Sequence, residues 1–192
     1  MRVIILNKKR IGVTMIIIGL MAVLLGVEIS LDSRLKLAML VQNNISSLKT
    51  YEEKGFSYKL PSTWTTNQRN FGIKEISYHN EFASKDNVIN GIVEVWNIQE
   101  DLKIFLDKSK EVSVKDNIVK DYSINPIKIS DHEGYLVNYT IMTSNNVYFK
   151  SYEYFIKDKN RFYRFSFFVR SDNYKDNMTA IFKVIVETLK IN

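Results

Sequence analysis

A hydrolytic or transfer reaction needs a base beside a nucleophile, and the chain has only two histidines to offer, His79 and His132. His132 falls in the turn segment Asp131-His132-Glu133-Gly134 and His79 at the end of a short strand, so both are read as surface or capping residues. Metal binding by His132 with Asp131 and Glu133 is the alternative, weakened because adjacent side chains diverge. The carboxylate pairs Glu52-Glu53 and Glu100-Asp101 diverge for the same reason, and solvation or helix-end placement accounts for them. There is no cysteine, which excludes disulfides, thiolate metal sites and cysteine nucleophiles. Seven glycines form no phosphate-cradling loop. Nothing here identifies a reaction, so the expected class is not an enzyme, with no catalytic residue, metal or cofactor assigned.

Polar side chains are placed in order only between Glu133 and Arg170, which reads as three consecutive antiparallel strands. Sorting by alternate residues gives one apolar face: Tyr135, Val137, Tyr139 and Ile141; Tyr152, Tyr154 and Ile156; Tyr163, Phe165, Phe167 and Val169. The other face is apolar at its ends and polar in the middle, which suggests a sheet covered on both sides. An Asn145-Asn146 turn would pair Ser144 with Val147, setting Asn138 opposite Glu153 and Thr140 opposite Ser151. A connection through Lys157, Asp158, Lys159 and Asn160 would pair Ile156 with Arg161, and so Glu153 with Arg164. Two polar rows result, Asn138-Glu153-Arg164 and Thr140-Ser151-Ser166. An ordinary cross-strand ion pair is the structural reading of the first row. The functional reading makes these six residues a contact for a partner or ligand.

The elements around this meander follow from pattern. Gly55 to Pro61 alternates with Phe56, Tyr58 and Leu60 inward, and Trp64 follows in a loop. Short strands are expected at 73–78 and 92–98, joined by a polar hairpin from Asn80 to Asn90. Gln99-Glu100-Asp101 opens a helix with Leu102, Phe105 and Leu106 as its buried stripe. Tyr122 to Ile129 is extended, and Pro126 places it at an edge. Ser171 or Asp172 would cap a last helix burying Met178, Ile181, Phe182, Ile185 and Leu189.

The net charge of +6 suggests nucleic acid until it is divided by position. Residues 1–50 hold 7 Lys/Arg and 2 Asp/Glu, giving +5, whereas residues 51–192 hold 20 and 19, giving +1. The main domain therefore lacks the cationic surplus that phosphate neutralisation needs, and no nucleic acid is expected. Ile11 to Val27 is apolar and uncharged except for the hydroxyl of Thr14, and Lys8, Lys9 and Arg10 precede it. As a helix it would be about 25 Å long, the short end of the spanning range. The reading is a single-pass signal anchor with a cytoplasmic N-terminus. A cleaved signal peptide is the alternative, but Gly26 to Ser30 offers no good cleavage pair. The division expected is a basic tip and anchor at 1–29, a helical stalk or linker at 30–50, and an extracytoplasmic domain at 51–192.

The run Gly55-Phe56-Ser57-Tyr58-Lys59-Leu60-Pro61-Ser62-Thr63-Trp64 resembles the opening of PsbP-like domains. The later Gly134-Tyr135 strand, Tyr152-Glu153-Tyr154-Phe155, Phe162-Tyr163-Arg164-Phe165-Ser166-Phe167 and the closing amphipathic helix are similar to that family too. The resemblance, over about residues 50–190, implies an α+β fold: an antiparallel sheet flanked by helices on both faces, an α/β/α sandwich. Family members include the extrinsic photosystem protein, a Ran-binding nuclear-import factor and anchored bacterial proteins, and they are binding or assembly modules. The resemblance therefore implies a non-enzymatic module anchored through residues 11–27 and facing an envelope protein. The alternative is a small-ligand or metal-ion sensor or carrier using the polar rows.

Overall fold

The computed structural model describes residues 47–116, 119–143 and 145–192, all within the unit that runs from residue 45 to 192. The apolar run 11–27 and nearly all of the stretch read as a stalk lie outside the described residues. Among the described residues no helix is long and apolar enough to cross a membrane.

Among the described residues ten strands and two helices follow one another as β1 (Leu48–Glu53), β2 (Phe56–Pro61), β3 (Thr65–Gln68), β4 (Ile76–Ala83), β5 (Ile89–Asn97), α1 (Leu102–Asp116), β6 (Val119–Ile129), β7 (His132–Met142), β8 (Tyr148–Asp158), β9 (Arg161–Arg170), α2 (Met178–Val186) and β10 (Lys190–Ile191). Seven strands form one antiparallel sheet in the order β3-β4-β5-β9-β8-β7-β6, and β1-β2-β10 form a second. The last three residues of the supposed stalk, Leu48 to Thr50, are thus the start of a strand. Pro126 sits on β6, an edge of the large sheet, where a missing N–H costs least.

Successive residues of β9 face opposite sides. Phe165, Phe167 and Val169 face α2, where Phe167 stacks on Phe182 at 4.3 Å between ring centres. Tyr58 of the small sheet meets Phe165 on this side at 5.6 Å. Phe162 faces the other way and joins Phe155, Val137, Leu102 and Leu106 under α1. Asp101 caps α1, its Oδ1 accepting from Lys103 N at 2.8 Å. Helix α2 starts later than expected, with Asn177 at its N-cap and no side-chain capping bond. Ser171 and Asp172 lie in the turn after β9, where Asp172 pairs with Arg170 at 2.8 Å.

Two registers differ from expectation. Met142 pairs with Tyr148, so the β7–β8 connection is the five residues 143–147, with Asn146 at positive φ and Thr143 N bonded to Val147 O at 2.9 Å. An odd loop reverses every face of β7 relative to β8. Tyr139 now opposes Ser151 and Val137 opposes Glu153, while Asn138 opposes Tyr152 and Thr140 opposes Lys150. The β8–β9 hairpin turns tightly on Lys159, at positive φ, and Asn160, so Asp158 pairs with Arg161 and Glu153 with Ser166. That slip of two preserves the faces. Arg164 stands opposite Phe155 and diagonal to Glu153.

Candidate functional site

Three neighbouring strands carry one charge each inside a run of aromatic and branched residues: Glu94 in Ile92-Val93-Glu94-Val95-Trp96, Arg164 in Phe162-Tyr163-Arg164-Phe165, and Glu153 in Tyr152-Glu153-Tyr154. All three point to the α1 side, because Glu94 opposes Arg164 and Glu153 opposes Ser166. A charge taken out of water must find a partner. Here they find one another.

The Arg164 guanidinium lies between the two carboxylates. Its Nε and Nη2 reach Glu153 Oε2 at 2.9 and 2.8 Å, and its Nη1 donates to Glu94 Oε2 at 3.1 Å. Trp96 Nε1 donates to the same Glu94 oxygen at 2.8 Å. Glu153 Oε1 accepts from Tyr139 OH at 2.7 Å and from Ser151 Oγ at 3.3 Å. Glu94 is 4 % exposed and Glu153 3 %. Burial opposes the charge on Arg164, but Glu153 and then Glu94 outweigh it and hold the guanidinium above its ordinary pKa. Burial and then the Glu153 charge push Tyr139 up strongly, and the same two causes raise Tyr122, stacked on it at 5.4 Å, to about 12.

The chain of contacts continues to β4. His79 Nδ1 lies 2.7 Å from Glu94 Oε1; a carboxylate can only accept, so Nδ1 carries the hydrogen. His79 is buried and mid-strand, not at a strand end, because β4 continues through Ala83 into what reads as a polar hairpin. Its Nε2 has no hydrogen-bond partner and faces Glu81 Oε1 at 3.6 Å. The imidazole and the Phe71 ring meet edge to face, with 4.7 Å between ring centres. Phe71 and Ile73, in the β3–β4 loop, are 48 % and 49 % exposed. The nitrogen that a general base would use is the one left without a partner.

Of the six residues proposed from sequence, Glu153, Arg164 and Ser151 come together. Ser166 is on the same face, fully buried, with an Oγ that makes no hydrogen bond. Asn138 and Thr140 are on the opposite face, and Asn138 Oδ1 is buried without a partner. His132 opens β7 opposite Ile129, at the end of the sheet. Sequence reasoning missed Glu94, Trp96, Tyr139 and the role of His79. The available signal was the lone carboxylate in the otherwise apolar run from Ile92 to Trp96. Among the described residues no three His, Asp or Glu side chains form a ready-made metal centre.

No protein-family model matches the chain, and no curated protein matches it. Solved structures do. The solution structure of cyanobacterial PsbP from Synechocystis superposes with a TM-score of 0.56 at 13% identity, covering 77% of this chain and 94% of that one. A crystal structure from Bacteroides thetaiotaomicron superposes with a TM-score of 0.53 at 14% identity, covering 75% of this chain and 48% of that one. Mostly antiparallel sheet with two helices, the described part of the chain has a PsbP-like fold.

Proposed function

We propose that the chain is a non-enzymatic binding or assembly module, held in the cytoplasmic membrane by residues 11–27 and presenting its folded domain outside the cytoplasm to an envelope protein. The observation that carries this reading is the β3–β4 loop. Phe71 and Ile73 stand half exposed on it, beside a polar chain whose charges are already paired. Large apolar side chains at a surface are anchors for a complementary pocket. Ser151, Glu153 and Ser166 are buried, so a partner meets this region through the loop above His79. The flanking charges balance, Arg69 pairing with Glu81 at 3.1 Å and Lys74 standing beside Glu75, so the apolar pair and not charge would anchor the partner.

The test is a crosslinking pull-down of the full-length chain from membranes, beside Phe71→Ser/Ile73→Ser. Recovery of one envelope protein by the native chain and its loss with an equally stable double variant is the expected result. Equal recovery by both, or none by either, rejects the reading. A ligand-carrier role has one observation of its own, a hollow of about 440 Å³ on the same sheet face, bounded by Thr65, Asn67, Glu81, Ile92 and Phe168. Thermal stabilisation of the native chain by a small molecule, reduced by Ile92→Trp, would favour it.

A further inference from the structure

A second hollow, of about 770 Å³, lies where the end of β5 meets α1, apart from the one bounded by Thr65 and Ile92. Its floor is Trp96 near the end of β5, Ile98 just after it and Phe105 of α1. Both rings are fixed before any ligand arrives. Trp96 lies parallel to the fully buried Phe162 at 5.9 Å and is tied through Nε1 to Glu94 Oε2 at 2.8 Å, while Phe105 leans on Phe162 at 5.3 Å. The rim is built as firmly. Asn97 N donates to Glu75 O at 2.7 Å and Ile98 N to Asn160 O at 3.0 Å, which ties the β3–β4 loop and the β8–β9 turn to the end of β5. On that rim stand three exposed amides, Asn97, Gln99 and Asn160, each able to donate and to accept. Its charges balance, Lys74 standing beside Glu75 and Glu100 paired with Lys108 at 2.5 Å.

We propose that this hollow binds a neutral oligosaccharide. A sugar ring has an apolar C–H face and an edge of hydroxyls that both donate and accept, and an aromatic floor inside an amide rim supplies what each needs. Size agrees, because small-molecule sites run from roughly 300 to 1,000 Å³. Balanced charge on the rim gives an ionic ligand no advantage over a neutral one. The tilt of the floor narrows the choice further: Trp96 and Phe105 are 5.9 Å apart between ring centres and inclined at 53°. One flat aromatic molecule could lie on only one of them, whereas two linked sugar rings can take one each. An extended peptide would need open backbone groups to pair with, and Asn97 N, Ile98 N, Glu75 O and Asn160 O are already bonded to one another. The inference is independent of the protein-binding reading.

Saturation-transfer NMR on the full-length chain, in a detergent without a sugar headgroup, tests it with cellotetraose, maltotetraose and chitotetraose, and tryptophan fluorescence is the second readout. At least one of the three should bind saturably at millimolar concentration or below and change the emission of Trp96. That change should vanish in Trp96→Phe, since the second tryptophan, Trp64, is buried and does not line the hollow. Phe105→Ala should abolish binding, and Asn97→Ala and Gln99→Ala should each weaken it about three- to tenfold. Should Phe105→Ala fail to fold, the two amide variants decide, because both side chains are at the surface. No saturable binding of any of the three sugars would overturn the proposal, and so would undiminished affinity in both amide variants.

Discussion

The two faces of the seven-stranded sheet are made from alternate residues of the same strands, yet different physics holds each. On β9, Phe165 and Phe167 turn to a core of rings under α2, whereas Phe162 and Arg164 turn to the α1 side. The ring face is non-directional: each contact is small, many add up, and a lost side chain leaves a cavity. The polar face is directional and mutual, so each charge is tolerable only while its partners remain. One strand can therefore serve a packing core and a network of paired charges, because period two keeps them apart.

The largest effect expected on the ring face is from Phe167→Ala, which empties the space between Phe82, Tyr154 and Phe182. It should cost about 3–5 kcal/mol in urea unfolding, whatever the state of the polar face. On the other face Glu153→Gln keeps the shape but leaves one acceptor oxygen where there were two, so either Arg164 or the Tyr139 and Ser151 hydroxyls lose their acceptor. A loss of about 2 kcal/mol is expected by the same method.

Alkaline pH separates the faces next. Tyr122 is raised from 10.0 to about 12 by burial first and Glu153 second. A folded pKa above the unfolded one means that Tyr122 adds stability below pH 10, lost as the pH climbs from 10 to about 12. Tyr58, on the ring face, is also raised, by burial and its hydrogen bond with Tyr78. Glu153→Gln should therefore bring the tyrosinate absorbance of Tyr122 to lower pH and leave that of Tyr58 in place. The smallest effect belongs to neither face. Lys103→Ala breaks the exposed pair with Asp107 on α1, and the unfolding midpoint should move by no more than about 0.5 kcal/mol equivalent.

Much of this division is legible in the sequence. Phe56, Tyr58 and Leu60, the apolar stripe of α2 and the edge position of Pro126 all follow from local period and local chemistry, which tertiary structure had no reason to override. The β7–β8 register does not follow. Tyr135, Val137, Tyr139 and Ile141 are apolar on one side, and Leu136 and Met142 on the other, so either face could be buried. Loop length then decides, and five residues invert what two would give. The Glu153–Arg164 pair survives because the neighbouring hairpin slipped by an even number. His79 was hidden differently. Asn80 and Glu81 read as turn residues until Tyr58 and Arg69, distant in sequence or across a loop, supply their partners.

The central claim is that the charges of the α1-side face are spent on one another. The most direct test is the cost of Arg164→Met measured twice by urea unfolding, once in the native chain and once with Glu94→Gln and Glu153→Gln already present. In the native chain the change strands two buried carboxylates and should cost about 3–5 kcal/mol; in the neutral background it should be close to zero or stabilising. An equal cost in both backgrounds would contradict the claim, and would make Arg164 a packing residue whose charge is free for a partner.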